Sequence, residues 1–339
     1  MKHIICSGCS FTRQQRRLNI DGTDSDYIKE HIKNWKWPHY IQDNLKGSKV
    51  YNLGNPTNDN SLIRKSIIYK ITELLENKVN PKDIIVLTQW SSWQRNSFFI
   101  SNDKAKEFQS ILTDIDNKEG NNFAHISDFV HSKPGEDGYY LLTGGFSHDH
   151  VPYKIKKLID NYVYNFFSKE ESIIRFFENI IFLQSFLDKL NIKHLSFNLQ
   201  NNFSKYYMRD GFPGLLNNEE VPYNSIYVDK FIPKTIDDDI QLDYENPYIQ
   251  HLFDLIDLSK FWFFKNEDTM FGGLMEWGVK NYDIESDKNV NGLWSEFAQI
   301  PPSELKEKLK RNDWCFGHLS SMMNEKFVKE ELLNDKILL

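Results

Sequence analysis

The sequence predicts a three-layer α/β/α fold, with a mostly parallel central sheet and large loop insertions. Three observations predict it. Short β-branched apolar runs alternate with amphipathic helical stretches. The third run, DIIVLTQW, is apolar almost throughout, as a strand covered on both faces requires. The first three runs each stop at a short polar segment, and in an open parallel sheet such segments collect along one edge.

Taken in order, HIICS is a short buried strand ending at Gly8. WPHYIQDNL reads as a helix with Pro38 in its tolerant first turn. KVYNL is the second strand, and it leads through GNPTNDN into a helix with Leu62, Ile63, Ile67, Ile71, Leu74 and Leu75 at helical spacing. Asn58, Asp59 and Asn60 are its candidate caps. After the third strand, residues 96–165 are rich in Gly, His and aromatics and read as an irregular insertion. Ser168 and Glu171 form a capping box before a long helix over 173–190, and KHLSFNL is the fourth strand. A second irregular insertion covers about 200–245 and holds the acidic run Asp237, Asp238, Asp239. The segment 319–333 is amphipathic through Leu319, Met322, Met323, Phe327, Val328 and Leu332. No internal repeat interrupts this order, and one domain over 1–339 is expected.

Composition narrows the function classes. The 339 residues are 40% hydrophobic and 14% aromatic, enough to bury a sizeable core. A net charge of -7 without a long basic run argues against a nucleic-acid partner. No apolar stretch approaches the ~18–20 residues needed to span a bilayer. MKHIIC is too short an apolar core for a signal peptide. Three cysteines, Cys6, Cys9 and Cys315, form no disulfide framework, so a reducing, cytoplasmic setting is expected.

The polar segments carry the chemistry. They are Gly8-Cys9-Ser10, Gly54-Asn55-Pro56-Thr57-Asn58 and Gln89-Trp90-Ser91-Ser92. Ser10, just past a strand end, is placed as a nucleophile, which needs a base, a carboxylate to orient that base, and donors for an oxyanion. Among ten histidines, His318 has the best context, with a glycine before it and Asp313 five residues upstream.

These residues resemble the SGNH/GDSL hydrolase superfamily. Gly8-Cys9-Ser10-Phe11-Thr12 is similar to its first block, Gly-Asp-Ser-Leu-Thr, with Cys9 in place of Asp. Val50-Tyr51-Asn52-Leu53-Gly54 with Thr57-Asn58-Asp59-Asn60 resembles its second block, and Asp313 with His318-Leu319-Ser320 resembles its last, Asp-x-x-His-Pro-Ser. The resemblance implies a flavodoxin-like central sheet and a serine esterase without a cofactor. In it Ser10, His318 and Asp313 are catalytic, and Ser10, Gly54 and Asn58 surround the oxyanion. Three departures stand out. The third block, Gly-x-Asn-Asp, is replaced by Thr88-Gln89-Trp90-Ser91-Ser92, so Gln89 and Ser91, on one strand face, or Ser92 would have to supply its donor. Pro56 follows Asn55 where small residues are usual, and proline donates no amide. Asp313 precedes His318 by five positions instead of three, which leaves Asp287 and Glu296 as alternative orienting acids.

Other constellations are bland. His148-Asp149-His150, with His125 and His131, lacks a completing ligand set, so no metal is expected. The Asp237 run lacks the spaced ligands of a calcium loop. Cys6 and Cys9 read as small core residues, and most tryptophans as core, with two or three near the site available to stack on a sugar. Aromatic segments around Lys260-Phe261-Trp262-Phe263-Phe264, Gly272-Gly273 and Trp277 suit substrate-shaping loops. Two function classes follow. One is an esterase acting on a small-molecule or glycan ester, O-acyl carbohydrate first. The other is a non-catalytic descendant, such as a virion or envelope assembly component, if the Lys-, Asn- and Ile-rich chain is a phage's.

Overall fold

The computed structural model describes residues 1–9, 11–12, 36–55, 58–93, 95–100, 103, 107, 124–127, 139–143, 157, 161, 165–166, 168–203, 246–266, 270–281, 314–315, 318–319 and 321–333. A mostly parallel five-stranded sheet flanked by helices gives the three-layer α/β/α architecture that the sequence predicts. Its strands are β1 (His3–Ser7), β2 (Lys49–Asn52), β3 (Ile84–Trp90), β7 (Lys193–Asn198) and β8 (Phe261–Trp262), in the order β2-β1-β3-β7-β8. β1 and β3 pair in parallel, from His3 opposite Ile84 to Ser7 opposite Thr88. The winding therefore reverses between β1 and β3, the switch point where folds of this class keep their sites.

By its contacts the chain divides into two compact units. The first comprises Met1–Ser10, Tyr51–Ser196 and Tyr244–Trp262. Ile4, Ile5 and Cys6 of β1 and Val86 and Leu87 of β3 are fully buried in it. Helix α2 (Asn60–Glu76) and helix α3 (Lys169–Lys189) pack together there. Buried Leu62, Ile63, Ile67 and Ile71 form the inner stripe of α2, and Phe176, Phe177, Ile180 and Leu183 that of α3. Each such side chain contributes about 1.5–3 kcal/mol relative to exposure. Asp59 is the cap of α2, its Oδ1 accepting the Leu62 amide at 2.8 Å. Ser168 caps α3 by accepting the Glu171 amide at 3.2 Å. Helix α4 (Pro247–Asp254) reaches α3 through Phe253, whose ring lies 5.9 Å from Phe177.

The second unit comprises Phe11–Val50, Phe197–Asp243 and Phe263–Leu339. It holds helix α1 (Trp37–Asn44), helix α5 (Leu274–Asn281) and helix α6 (Ser321–Phe327). A continuous aromatic contact runs from Trp37 to Phe197, then Phe327, then Trp277, with centroids 5.3, 5.4 and 5.2 Å apart. All four rings are fully buried. Gly273 precedes α5 where backbones meet: a Cβ there would lie 2.5 Å from the Asn198 carbonyl and 2.7 Å from the Gln200 amide. The Glu276 carboxylate, itself buried, accepts the Gly273 amide at 2.8 Å and the Asn201 amide at 3.0 Å. Gly273 is thus needed for this close approach.

Two sequence expectations are corrected here. Residues 96–165 are not simply irregular: β4 (Asn96–Ile100), β5 (Ala124–Ser127) and β6 (Tyr139–Thr143) form an antiparallel sheet in the order β4-β6-β5. Asn96 pairs with Thr143, and Ala124 with the same residue. NSFFI and YYLLT have the right β propensity, but the surrounding polar and glycine-rich sequence hides it, and the central strand comes last. The helix expected over 319–333 starts only at Ser321, because His318–Leu319 is a strand, and it finishes in a π-helical turn, Val328–Leu332. The insertion at 200–245 lies outside the described residues beyond Phe203, and so does the Asp237 run. No described helix is long and apolar enough to cross a membrane.

Candidate active site

Within the first unit, the exit of β1 is bound to the segments that follow β2 and β3. The strand ladder extends past β2, with the Leu53 amide donating to the Cys6 carbonyl at 2.7 Å. The Gly8 carbonyl then accepts two donors, the Asn55 amide and the Asn58 side-chain Nδ2, each at 3.2 Å. Ser7 Oγ and Ser66 Oγ share a hydrogen bond of 2.8 Å, which fastens β1 to α2. Cys9 is fully buried, with its Sγ 3.5 Å from Gln89 Nε2 and 3.6 Å from Gln89 Oε1.

The segment after β3 is fixed in turn by α2. Asn60 Oδ1 accepts the Ser91 amide at 2.8 Å, and its Nδ2 donates to the Ser91 carbonyl at 3.1 Å. Asp59 Oδ2 accepts a hydrogen bond from Ser97 Oγ at 2.8 Å, holding the start of β4. Burial raises the Asp59 carboxyl above its ordinary range, against the opposing pull of the Leu62 and Ser97 hydrogen bonds and the Lys65 charge. Burial also raises the Cys6 thiol well above its usual value, so Cys6 is a core residue without thiolate reactivity.

Ser10 and Asp313, and the alternative acids Asp287 and Glu296, lie outside the described residues. The other oxyanion candidates are placed, and each has a partner. The Gly54 amide donates to Asn52 Oδ1 at 2.9 Å. Asn58 Nδ2 is held by Gly8, and Gln89 Nε2 also donates to the Trp90 carbonyl at 3.3 Å. Trp90 turns to α3, its ring 6.4 Å from Phe176, so Gln89 projects from the opposite face of β3. Asn58 and Gln89 thus bond the β1 exit, through Gly8 and Cys9, while Gly54 and Ser91 are bonded to Asn52 and Asn60. Trp37, Trp90, Trp93, Trp262 and Trp277 are all buried, which removes them as stacking platforms.

In the second unit, His318 lies on β10 (His318–Leu319), paired antiparallel with β9 (Trp314–Cys315) so that His318 faces Cys315 across the ladder. The next carbonyl, that of Leu319, is held from two sides. Lys36 Nζ donates to it at 3.2 Å and Asn324 Nδ2 at 3.0 Å. Asn324 Oδ1 accepts the Trp37 amide at 3.1 Å, and Trp37 Nε1 donates to Thr12 Oγ1 at 3.2 Å. Lys36, Trp37 and Asn324 escaped sequence reasoning. The one available signal was a lysine immediately before a Trp-Pro helix start.

Among the described residues no three His, Cys, Asp or Glu side chains gather as metal ligands. His125 lies on β5, and His131, His148, Asp149 and His150 are outside the described residues. The chain matches no family model, no curated protein and no solved structure.

Proposed function

We propose that this protein is a serine acyl hydrolase of the SGNH kind, acting on a small-molecule or glycan ester. The observation that carries the proposal is the knot at the switch point. The Gly8 carbonyl is held by Asn55 and Asn58, and Cys9 by Gln89, so three polar segments meet at the two residues that precede Ser10 in the sequence. In the proposed reaction, Ser10 Oγ attacks the ester carbonyl while His318 takes its proton. The tetrahedral intermediate collapses as His318 passes that proton to the leaving alcohol. Water then hydrolyses the acyl-serine with the same histidine as base, and Asp313 orients the imidazole throughout. Because the Asn58 and Gln89 amides are engaged in these bonds, backbone amides are assigned the larger share of oxyanion binding.

That same engagement favours a second class, a non-catalytic binding or assembly module on this fold. Hydrolysis of p-nitrophenyl acetate and labelling by a fluorophosphonate separate the two. The hydrolase reading expects both activities in the wild type and neither in Ser10→Ala. Folded wild-type protein that neither turns over nor labels would leave the binding module.

A further inference from the structure

We infer that Lys36, Trp37 and Asn324 are positioning residues that fix the backbone beside the proposed base His318 and tie it to Thr12; this rests on the assignment of His318 above. Thr12, two residues after Ser10, is tied to Trp37 through the indole Nε1. Leu319, the residue after His318, is tied to Lys36 directly and to Trp37 through Asn324. The two chain segments are remote in sequence, yet both end on one helix start. All of these contacts lie within the second unit, so the brace is internal to one compact body.

The brace is built for rigidity. Thr12, Lys36, Trp37, Leu319 and Asn324 are each no more than 1% exposed. Asn324 uses both halves of its amide, as acceptor to the Trp37 amide and as donor to the Leu319 carbonyl, so it fixes the distance between those two backbone atoms. The Trp37 ring is locked against Phe197 at 5.3 Å, which leaves its indole N–H one direction to point. Lys36 then adds a second donor to a carbonyl that already has one from Asn324. Burying a lysine amine is costly, and a methionine or leucine would fill a similar volume without that cost. A lysine there is explained by what it holds in place. A residue shift of about 1 Å in a catalytic base costs on the order of 10²-fold in rate, so a brace one residue from His318 bears on turnover and not only on folding.

The test uses the full chain with Lys36→Met, Lys36→Arg, Asn324→Asp and Trp37→Phe. Folding is checked by circular dichroism. Two readouts are taken: p-nitrophenyl acetate kinetics, and the titration of the His318 ring by NMR, assigned with His318→Gln. In Lys36→Met and Asn324→Asp, kcat should fall about tenfold or more with KM little changed, and the His318 titration should shift or broaden. Lys36→Arg should restore much of both. Trp37→Phe keeps an aromatic side chain but loses the indole N–H that bonds Thr12, and should lower kcat without moving the His318 titration. If the His318 titration is the same in wild type, Lys36→Met and Asn324→Asp, the positioning role is overturned, whatever the kinetics. If it moves while wild-type protein has no esterase activity, the brace stands and the hydrolase assignment falls.

Discussion

The Asn60 side chain and the Ser91 backbone exchange two hydrogen bonds, Ser91 amide to Oδ1 at 2.8 Å and Nδ2 to the Ser91 carbonyl at 3.1 Å. In effect, the first residue of α2 adds one more β-pair to the end of β3. That pair explains how a strand ending in bulky Trp90 can turn without fraying. It also explains why Asn60, predicted only as a possible helix cap, leaves that task to Asp59.

Asn60→Ala removes both bonds at once and takes a partner from two buried backbone groups. The expected loss is about 2–4 kcal/mol, one desolvated group contributing roughly 1–3. Urea unfolding monitored by tryptophan fluorescence measures it. A loss within experimental error would mean that the turn after β3 does not depend on α2.

Gly273→Ala forces a methyl to within 2.5 Å of the Asn198 carbonyl and 2.8 Å of the Gln200 Cα. Both obstacles are backbone, so neither can rotate away. Overpacking of this kind costs about 1–3 kcal/mol or more, and thermal unfolding should show a clear drop in Tm. An unchanged Tm would show that the approach of these two segments is looser than described.

Asn198, at the end of β7, is fully buried, and among the described residues neither its Nδ2 nor its Oδ1 has a hydrogen-bond partner. Such a group costs roughly 1–3 kcal/mol in desolvation. Asn198→Leu should therefore leave stability unchanged or raise it, in contrast to most core polar substitutions. If the variant gains stability but loses p-nitrophenyl acetate hydrolysis, Asn198 is kept for function at a cost in stability. A destabilised variant contradicts the expectation.

His194 on β7 is buried, and its Nε2 sits 3.0 Å from Asp188 Oδ1. Burial lowers its pKa below the ordinary value, and the Asp188 hydrogen bond and charge only partly oppose this. In the unfolded chain the imidazole titrates near ~6.5. Between the folded value and ~6.5 the unfolded state binds more protons, so stability rises with pH across that window. The contribution is complete above about pH 6.5 and is lost as pH falls through and below it. His194→Gln should flatten this acid-side decline in urea midpoints between about pH 5 and 8; the same slope in the variant would assign the decline to other groups.

The sequence by itself determined the alternation of strands and helices, the long helices with their caps, and the three polar segments expected at one sheet edge. Those features rest on local physics: β-branched apolar runs, 3.6-residue periodicity and short side chains that bond nearby amides. Asp59 and Ser168 cap as their neighbours in sequence require. Tertiary structure decided how the polar segments are used. Whether Asn58 reaches Gly8, Gln89 reaches Cys9 or Asn60 reaches Ser91 depends on which strands adjoin, and such pairings join residues 31 to 80 positions apart. The antiparallel sheet within 96–143 was hidden because its middle strand is made last. The brace of Lys36, Trp37 and Asn324 was hidden for a similar reason, since Lys36 meets Leu319 across 283 residues. Local propensity carries no information about a partner that far along the chain; only packing brings the donor to its carbonyl.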